Sequence, residues 1–311
     1  MTQYFDWTFE TAPSYPEPDW VATFESDGAS AVDGDNVAVF SSGIYGFGQT
    51  YKFAWNACDA GAISPVINPV YRTAGTNGSP VVRKRDGNLQ EFLGEIVIRG
   101  GDQTSSGDDS ARMELGLNES NRTDLLVAYG DTLCIGGAWY WDPDNWVWEN
   151  NPGQTIVSAQ LPKGDDASPF ITFSNNDLNA LRLRLNQQGI NIWDSGMTMD
   201  QLKGHLIRFM IRAYYHETDG TVELWFALDA DELVKQDLLN TDADPDAKVW
   251  EGTTFLTSET DAGKLRCGHY ADSPYDCPKT GFHRLWWTGL EMMKTTDPDM
   301  IWAVEPPTLE A

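Results

Sequence analysis

Residues 180–186 read Ala-Leu-Arg-Leu-Arg-Leu-Asn, and this strict alternation of apolar and polar side chains decides the fold class. A β-strand sends successive side chains to opposite faces, so Leu181, Leu183 and Leu185 share one face and the two arginines share the other. An amphipathic helix has a period near 3.6 and does not give this pattern. The segment therefore predicts a strand with one face in a core and one polar face.

The same period of two recurs along the chain from about residue 90. It is visible in FLGEIVIRG, ARMELGLN, TDLLVAYG, QTIVSAQLP, HLIRFMIRAYY, TVELWFAL and KLRCGHYAD. Turn-forming clusters rich in Gly, Asp and Ser separate these segments. Only residues 197–204 and 229–240 have helix-like character, and both are short. Many strands at short spacing predict an antiparallel β-sandwich.

The 311 residues are compatible with one large sandwich domain. Residues 1–85 are rich in Gly, Pro, Ser and Asp, and we expect this loop-rich part to contribute edge strands. Residues 90–290 carry the sharper alternation. The opening, MTQYFDWTFETAP, does not read as a classical signal peptide, because no basic segment precedes an apolar one. Either the chain is a processed form or the protein leaves the cell by another route, such as release by lysis as part of a virus particle, and we expect an extracellular or virion-associated protein.

The charge balance excludes several classes of partner. The chain has 21 basic and 47 acidic residues, a formal net charge of −26. Phosphate binding depends on surplus Lys and Arg, so neither a nucleic acid nor an anionic lipid surface is an expected partner. No run approaches the ~20 apolar residues that span a bilayer.

Arginine is nevertheless frequent on the polar faces of the middle strands. The positions are Arg112, Arg182, Arg184, Arg208, Arg212 and Arg266. If these faces belong to one sheet, they form a cationic surface inside an anionic molecule, and forked guanidinium groups suit carboxylate or sulfate ligands. The alternative is that these arginines make ordinary cross-strand pairs with acidic residues.

Three segments carry a resemblance to a known family. Residues 112–115, Arg-Met-Glu-Leu, are similar to an R-x-E-L motif. Residues 156–162, IVSAQLP, lie at the place of a Gln-x-His strand, and residues 265–270, LRCGHY, are similar to F-K-x-G-x-Y. In this order the segments resemble the jelly-roll polysaccharide lyases, which include alginate, glucuronan and heparin-type lyases. Residues 220–229, GTVELWFALD, also look like the family, so the resemblance covers about residues 90–290.

The resemblance implies a concanavalin-like jelly roll whose concave face binds an acidic polysaccharide and cleaves it by β-elimination. Arg112 and Gln160 would neutralise the uronate carboxylate, and Tyr270 would transfer protons. Arg266 replaces the family's Lys and would hold another carboxylate. We expect further substrate-binding arginines on the same face, namely Arg182, Arg184, Arg208 and Arg212.

The sequence departs from the family where the catalytic His is expected, because Pro162 stands there and cannot accept a proton. Alternation sends His269 to the face opposite Tyr270. No motif places His205, His216 or His283. Two functions therefore stay open: a lyase in which Tyr270 is both base and acid, and a non-catalytic carbohydrate-binding or virion surface protein on the same scaffold.

Other motifs are weaker, and no metal site or cofactor is predicted with certainty. Residues 142–145 and 242–246 are acidic enough to bind Ca²⁺, although solvated loop acids are the favoured interpretation. Cys267 and Cys277 lie close enough in sequence to form a disulfide, and four reduced thiols are the alternative. Core packing is favoured for Trp139 and Trp141, and for one of Trp286 and Trp287. Virion or homo-oligomer contacts stay open.

Overall fold

The computed structural model describes eighteen strands, one α-helical turn and one 3-10 helix. The residues that it describes are 3–7, 36–40, 51–55, 70–73, 75, 78–89, 92–99, 111–117, 130–146, 156–162, 169–175, 180–185, 190–214, 221–236, 266–271 and 282–310. Every pairing of these strands is antiparallel.

One eight-stranded sheet, called sheet I, consists of β1 (Gln3–Trp7), β4 (Val70–Thr73), β6 (Phe92–Arg99), β8 (Thr132–Trp146), β13 (Leu206–Tyr214), β14 (Thr221–Leu228), β15 (Val234–Gln236) and β17 (Phe282–Lys294). Its spatial order is β15-β14-β13-β8-β17-β6-β4, and β1 also pairs with β17. The long strands β8 and β17 lie side by side at its centre.

The second eight-stranded sheet, called sheet II, consists of β2 (Asn36–Phe40), β3 (Tyr51–Trp55), β7 (Ala111–Leu117), β9 (Ile156–Pro162), β10 (Pro169–Asn175), β11 (Ala180–Leu185), β12 (Ile190–Thr198) and β16 (Arg266–Ala271). Its order is β12-β11-β10-β9-β16-β7-β3-β2. A separate short pair joins β5 (Val82–Arg83) to β18 (Thr308–Leu309).

The core lies between the two sheets, where aromatic rings of sheet I pack together. The ring centroid of Trp139 lies 5.1 Å from that of Phe209 and 5.2 Å from that of Trp287. Trp193 of β12 meets Phe226 of β14 at 4.8 Å, which joins the sheets. Leu183 of β11 is fully buried, as the alternation of its strand requires. The prediction of an all-β antiparallel sandwich is confirmed.

The outer face of sheet I is covered by residues 298–310, called the C-terminal segment. Its 3-10 helix, Pro298–Val304, begins at Asp297, whose carboxylate accepts a hydrogen bond from the Asp299 amide at 3.0 Å. The helix packs so closely that a Cβ at Gly136 would collide with the Val304 carbonyl oxygen. The central part of sheet I around Gly136 is therefore covered on its outer face as well.

This covering corrects one expectation about the tryptophans. Trp286 and Trp287 point to opposite faces of β17, yet each is only 1% exposed. Trp287 faces the core, and Trp286 packs with Val82, Leu93 and Leu309 beneath the outer covering. The expectation that Trp139 and Trp141 are core residues is confirmed, because both are fully buried.

The helix-like segments have different outcomes. Residues 197–204 contain an α-helical turn at Met199–Leu202. The prediction of a helix over 229–240 is wrong for its described part, because Val234–Gln236 form the edge strand β15. Pairing with β14 satisfies the backbone hydrogen-bonding groups of this segment. An isolated helix of this length would be only marginally stable. No helix in the described part of the chain is long and apolar enough to cross a membrane.

Candidate functional site

Sheet II brings together the three segments that carry the motifs. Strands β9, β16 and β7 are direct neighbours, with β16 in the middle. The segments are far apart in sequence, and antiparallel pairing across the sheet brings them next to one another. The relative positions of residues on these three strands follow from the backbone pairing of the strands.

The register puts the predicted catalytic positions on one side of the sheet. Tyr270 lies directly opposite Arg112, in a regular register along β7 and β16. Arg266 lies directly opposite Gln160 of β9. Directly opposed residues occupy the same side of a sheet, and Arg266 and Tyr270 are four residues apart on one strand. Through the regular β7–β16 register the two pairs share one side of sheet II, whereas the β16–β9 register shifts between Cys267 and Tyr270.

Arg266 and Gln160 belong to a longer row that crosses the sheet. Successive Cα partners connect Lys52, Gly116, Arg266, Gln160, Thr172 and Arg184. At about 4.8 Å between neighbouring strands, the row spans roughly 24 Å. We call it the polar row. It carries three cations in a molecule whose net charge is −26.

Sequence reasoning missed two members of the polar row, Lys52 and Thr172. Residues 51–55, YKFAW, alternate, so the local pattern already assigns Lys52 to a polar face. What the pattern lacks is the pairing of β3 with β7, which is a long-range contact. Thr172 was missed for the same reason, because its position in the row depends on the pairing of β10 with both β9 and β11.

Arg182 lies two residues from Arg184 on β11, but its charge has a partner. Its Nε donates to Asp194 Oδ2 at 2.8 Å, and Asp194 is its direct neighbour on β12. The Arg182 side chain is only 11% exposed, whereas that of Asp194 is 42% exposed. An ion pair of this kind fixes the end of the sheet and leaves less charge for an outside ligand.

Arg208 and Arg212 lie on β13 of sheet I, so the expectation that they line the same face as Arg112 is wrong for these two. Arg208 is 2% exposed and donates to the carbonyl oxygens of Asp231 at 2.6 Å and Pro306 at 3.4 Å. Burial lowers the pKa of this guanidinium, while Glu305 and Asp231 oppose that shift. Arg212 pairs with Glu223 on the neighbouring strand.

The departure at Pro162 has a definite position in the structure. Pro162 is the last residue of β9 and lies opposite Pro169. His269 lies opposite Met113, on the side of β16 away from Tyr270. His283 is in sheet I, and His216 lies outside the described residues.

His205 precedes β13, and its Nδ1 lies 2.6 Å from Asp229 Oδ2. The other oxygen of Asp229 accepts a hydrogen bond from the Leu206 amide at 2.8 Å. This pair stabilises the turn between strands of sheet I and lies away from the polar row. Among the described histidines, His205 lies beside sheet I, His283 lies in it, and His269 lies on the side of β16 away from Tyr270.

No group of three or more potential metal ligands is found among the residues that the structure describes. Asp142 accepts a hydrogen bond from the Asp144 amide at 2.9 Å and pairs with Arg284 at 3.3 Å. Asp142 is 3% exposed and lies within β8, so the interpretation as a solvated loop acid is wrong for this residue, whose carboxylate is bonded within the fold. Residues 242–246 lie outside the described residues.

The cysteines give no structural support to redox chemistry at the polar row. Cys134 is a free thiol in sheet I, and burial raises its pKa to about 11. The predicted choice between a Cys267–Cys277 disulfide and free thiols concerns side chains outside the described part of the structure.

No protein-family model matches the sequence, and no curated protein matches it significantly. Solved structures give distant similarities. A GH131 β-glucanase catalytic domain from Podospora anserina has a TM-score of 0.47 and 14% identity, over 81% of this chain and 87% of that chain.

Two alginate lyases are also similar. The enzyme from Corynebacterium sp. has a TM-score of 0.44 and 9% identity, over 76% of this chain and 86% of that chain. The polysaccharide lyase family 7 enzyme AlgAT5 has a TM-score of 0.41 and 11% identity, over 71% of this chain and 84% of that chain.

Proposed function

We propose that the polar row of sheet II binds an acidic polysaccharide and that the protein cleaves a uronate-containing polymer by β-elimination. The observation that supports this proposal is the pairing of Tyr270 with Arg112 and of Arg266 with Gln160 on three adjacent strands. Such a substrate favours action outside the cell or on a virus particle.

The chemistry requires a neutralised carboxylate. A proton on the carbon next to a carboxylate is weakly acidic, because its removal builds a second negative charge. Arginine and amide donors lower that barrier if they are held where the charge develops. Arg112 and Gln160 supply a guanidinium and an amide for this role, and Arg266 adds a second cation opposite Gln160.

Tyr270 would carry the proton transfers. Its phenolate takes the C5 proton, the C–H electrons form the C4–C5 double bond, and the C4–O4 bond breaks. The oxygen that leaves then receives a proton from the same phenol or from water. An ordinary Tyr pKa near ~10 makes this base weak, so Arg112, its direct cross-strand neighbour, would stabilise the phenolate.

Pro162 is the observation that favours the second candidate function. Without an imidazole at this position, the polar row would still bind acidic glycan without breaking it, as a carbohydrate-binding or virion surface protein does. The two candidates predict the same binding and different products.

The test is product formation. The wild-type protein is incubated with polymannuronate, polyguluronate, glucuronan and a sulfated uronate polymer, each with and without Ca²⁺. The lyase proposal predicts rising ultraviolet absorbance from the unsaturated uronate with at least one polymer. Retention on an acidic-glycan column with no absorbance change across the panel would establish the binding function instead.

A further inference from the structure

Asp194 of β12 lies on the face of sheet II that is turned away from sheet I. Leu183 of β11 is fully buried and lies directly opposite Trp193, whose ring meets Phe226 of sheet I at 4.8 Å. Trp193 therefore marks the inner face of β12. Asp194 is the next residue and lies directly opposite Arg182, so this pair occupies the other face.

The polar row reaches the same face at this edge of the sheet. Arg184, which ends the row on β11, is two residues from Arg182, so both arginines lie on one side of that strand. Their direct neighbours on β10 are Thr172 and Ser174, which are uncharged. A ligand that extends along the polar row therefore reaches the pair of Arg182 and Asp194 at the β12 edge.

The exposed end of this pair is its negative end. The Asp194 side chain is 42% exposed, whereas that of Arg182 is 11% exposed. At long range the two charges cancel, but at contact a group that arrives from solvent meets the carboxylate first. An anionic group is repelled there, and a hydroxyl group can donate a hydrogen bond.

Two hydrogen bonds hold the carboxylate of Asp194 in place. Arg182 Nε donates to Oδ2 at 2.8 Å, and the Gly196 amide donates to Oδ1 at 2.8 Å. Gly196 has a φ of +66°, a left-handed conformation that favours glycine. Each oxygen keeps a further lone pair for a ligand. Because the carboxylate cannot turn away from an unfavourable ligand, its charge acts at a fixed place.

We infer that Asp194 is a specificity-determining residue. It accepts hydrogen bonds from hydroxyl groups of the sugar at the β12 edge, and it excludes a sugar that carries an anionic substituent there. The inference rests on the proposed function, because it requires an acidic polysaccharide along the polar row. Uronate carboxylates pair with the cations of the row, whereas a sulfate ester at the edge meets Asp194. The substrate class is therefore a uronate polymer without sulfate at this position.

The experiment is calorimetric titration of the full chain with hexamers of mannuronate and of glucuronate, each unmodified and O-sulfated. Asp194→Asn removes the charge and keeps an oxygen that accepts hydrogen bonds. We expect this variant to bind at least one sulfated hexamer at least about fivefold more tightly than the wild type, with at most about a twofold change for the unmodified form. Asp194→Glu keeps the charge and should resemble the wild type.

Glu310→Gln is the matched control. Glu310 also pairs with an arginine, Arg83, and its side chain is 29% exposed, but it lies in the C-terminal segment that covers sheet I. Both variants lose one negative charge, and only its place differs. Raising the salt concentration from about 0.05 to 0.5 M should reduce the gain of Asp194→Asn, because salt screens a charge effect and leaves a steric effect unchanged. Equal melting temperatures of the variants exclude loss of the fold.

The inference is overturned if Asp194→Asn binds the sulfated hexamers as the wild type does, if it gains equally for both forms, or if Glu310→Gln gives the same gain. In each of these cases, binding of the unmodified hexamer still supports the proposed function. If the wild type binds no hexamer, the proposed function fails, and the inference fails with it.

Discussion

Arg208 of sheet I and Arg266 and Arg184 of sheet II have different places in the fold, although their strands have the same alternating sequence pattern. On sheet I, Arg208 is buried beneath the C-terminal segment and bonded to carbonyl oxygens of Asp231 and Pro306. On sheet II, Arg266 and Arg184 lie in one row with Gln160. The pattern on each strand fixes which face is polar, and long-range packing decides whether that polar face holds the fold or can serve a ligand.

The largest effect among variants of sheet II should come from Arg112→Ala. In the proposed site this change removes charge stabilisation of about 3 kcal/mol, so kcat should fall roughly 10²- to 10³-fold in the ultraviolet assay. Arg83→Ala is the control, because Arg83 pairs with Glu310 on the covering side of sheet I. Equal turnover of the Arg112 variant and the wild type would remove Arg112 from the mechanism.

For the arginines of sheet I, the expected effect of a substitution is on stability. Arg208→Met removes the donor from the carbonyl oxygens of Asp231 and Pro306, the second of which is buried, and we expect a loss of about 2–3 kcal/mol in the free energy of unfolding. Arg212→Met should cost only about 1 kcal/mol or less, because the Arg212 side chain is 22% exposed in its pair with Glu223. Urea denaturation of both variants measures the difference, and equal losses would contradict the anchoring role of Arg208.

Smaller effects are expected at the ends of the polar row. Lys52→Ala and Arg184→Ala should each raise KM roughly 3- to 10-fold, through loss of one contact to a substrate carboxylate, with little change in kcat. Lys203→Ala, at a residue that pairs with Asp200 outside the row, should leave both constants unchanged. An unchanged KM in the first two variants would show that Lys52 and Arg184 do not contact the substrate, so that only the centre of the polar row binds it.

Local sequence predicted more of the fold than of the site. Alternation at 180–186 and 206–214 was sufficient for strands and for a sandwich, because side-chain period is a local property. It could not assign Arg208 and Arg184 to different sheets, since sheet membership depends on pairings across the whole chain. The burial of Trp286 was missed for the same reason, because the residues that cover it include Leu309, which is distant in sequence.

The site was reached only where an ordered set of motifs supplemented the pattern. The order of the segments around Arg112, Gln160 and Tyr270 predicted one shared side of one sheet, and the backbone pairing puts their three strands next to one another. Lys52 lay outside any motif and appears only through the pairing of β3 with β7. The single domain over residues 1–311, with a loop-rich part at 1–85 and a core at 90–290, remains a prediction, as do the roles of the site residues.

The most direct test of the central claim is the ultraviolet assay with a pair of tyrosine variants. Tyr270→Phe removes the phenol that lies opposite Arg112, whereas Tyr214→Phe makes the same change at the end of β13 in sheet I. We predict product from the wild type and from Tyr214→Phe. We predict a loss of at least about 10²-fold in Tyr270→Phe, the lower end of what general acid–base catalysis supplies. Full activity in Tyr270→Phe would contradict the claim that the polar side of sheet II performs the elimination.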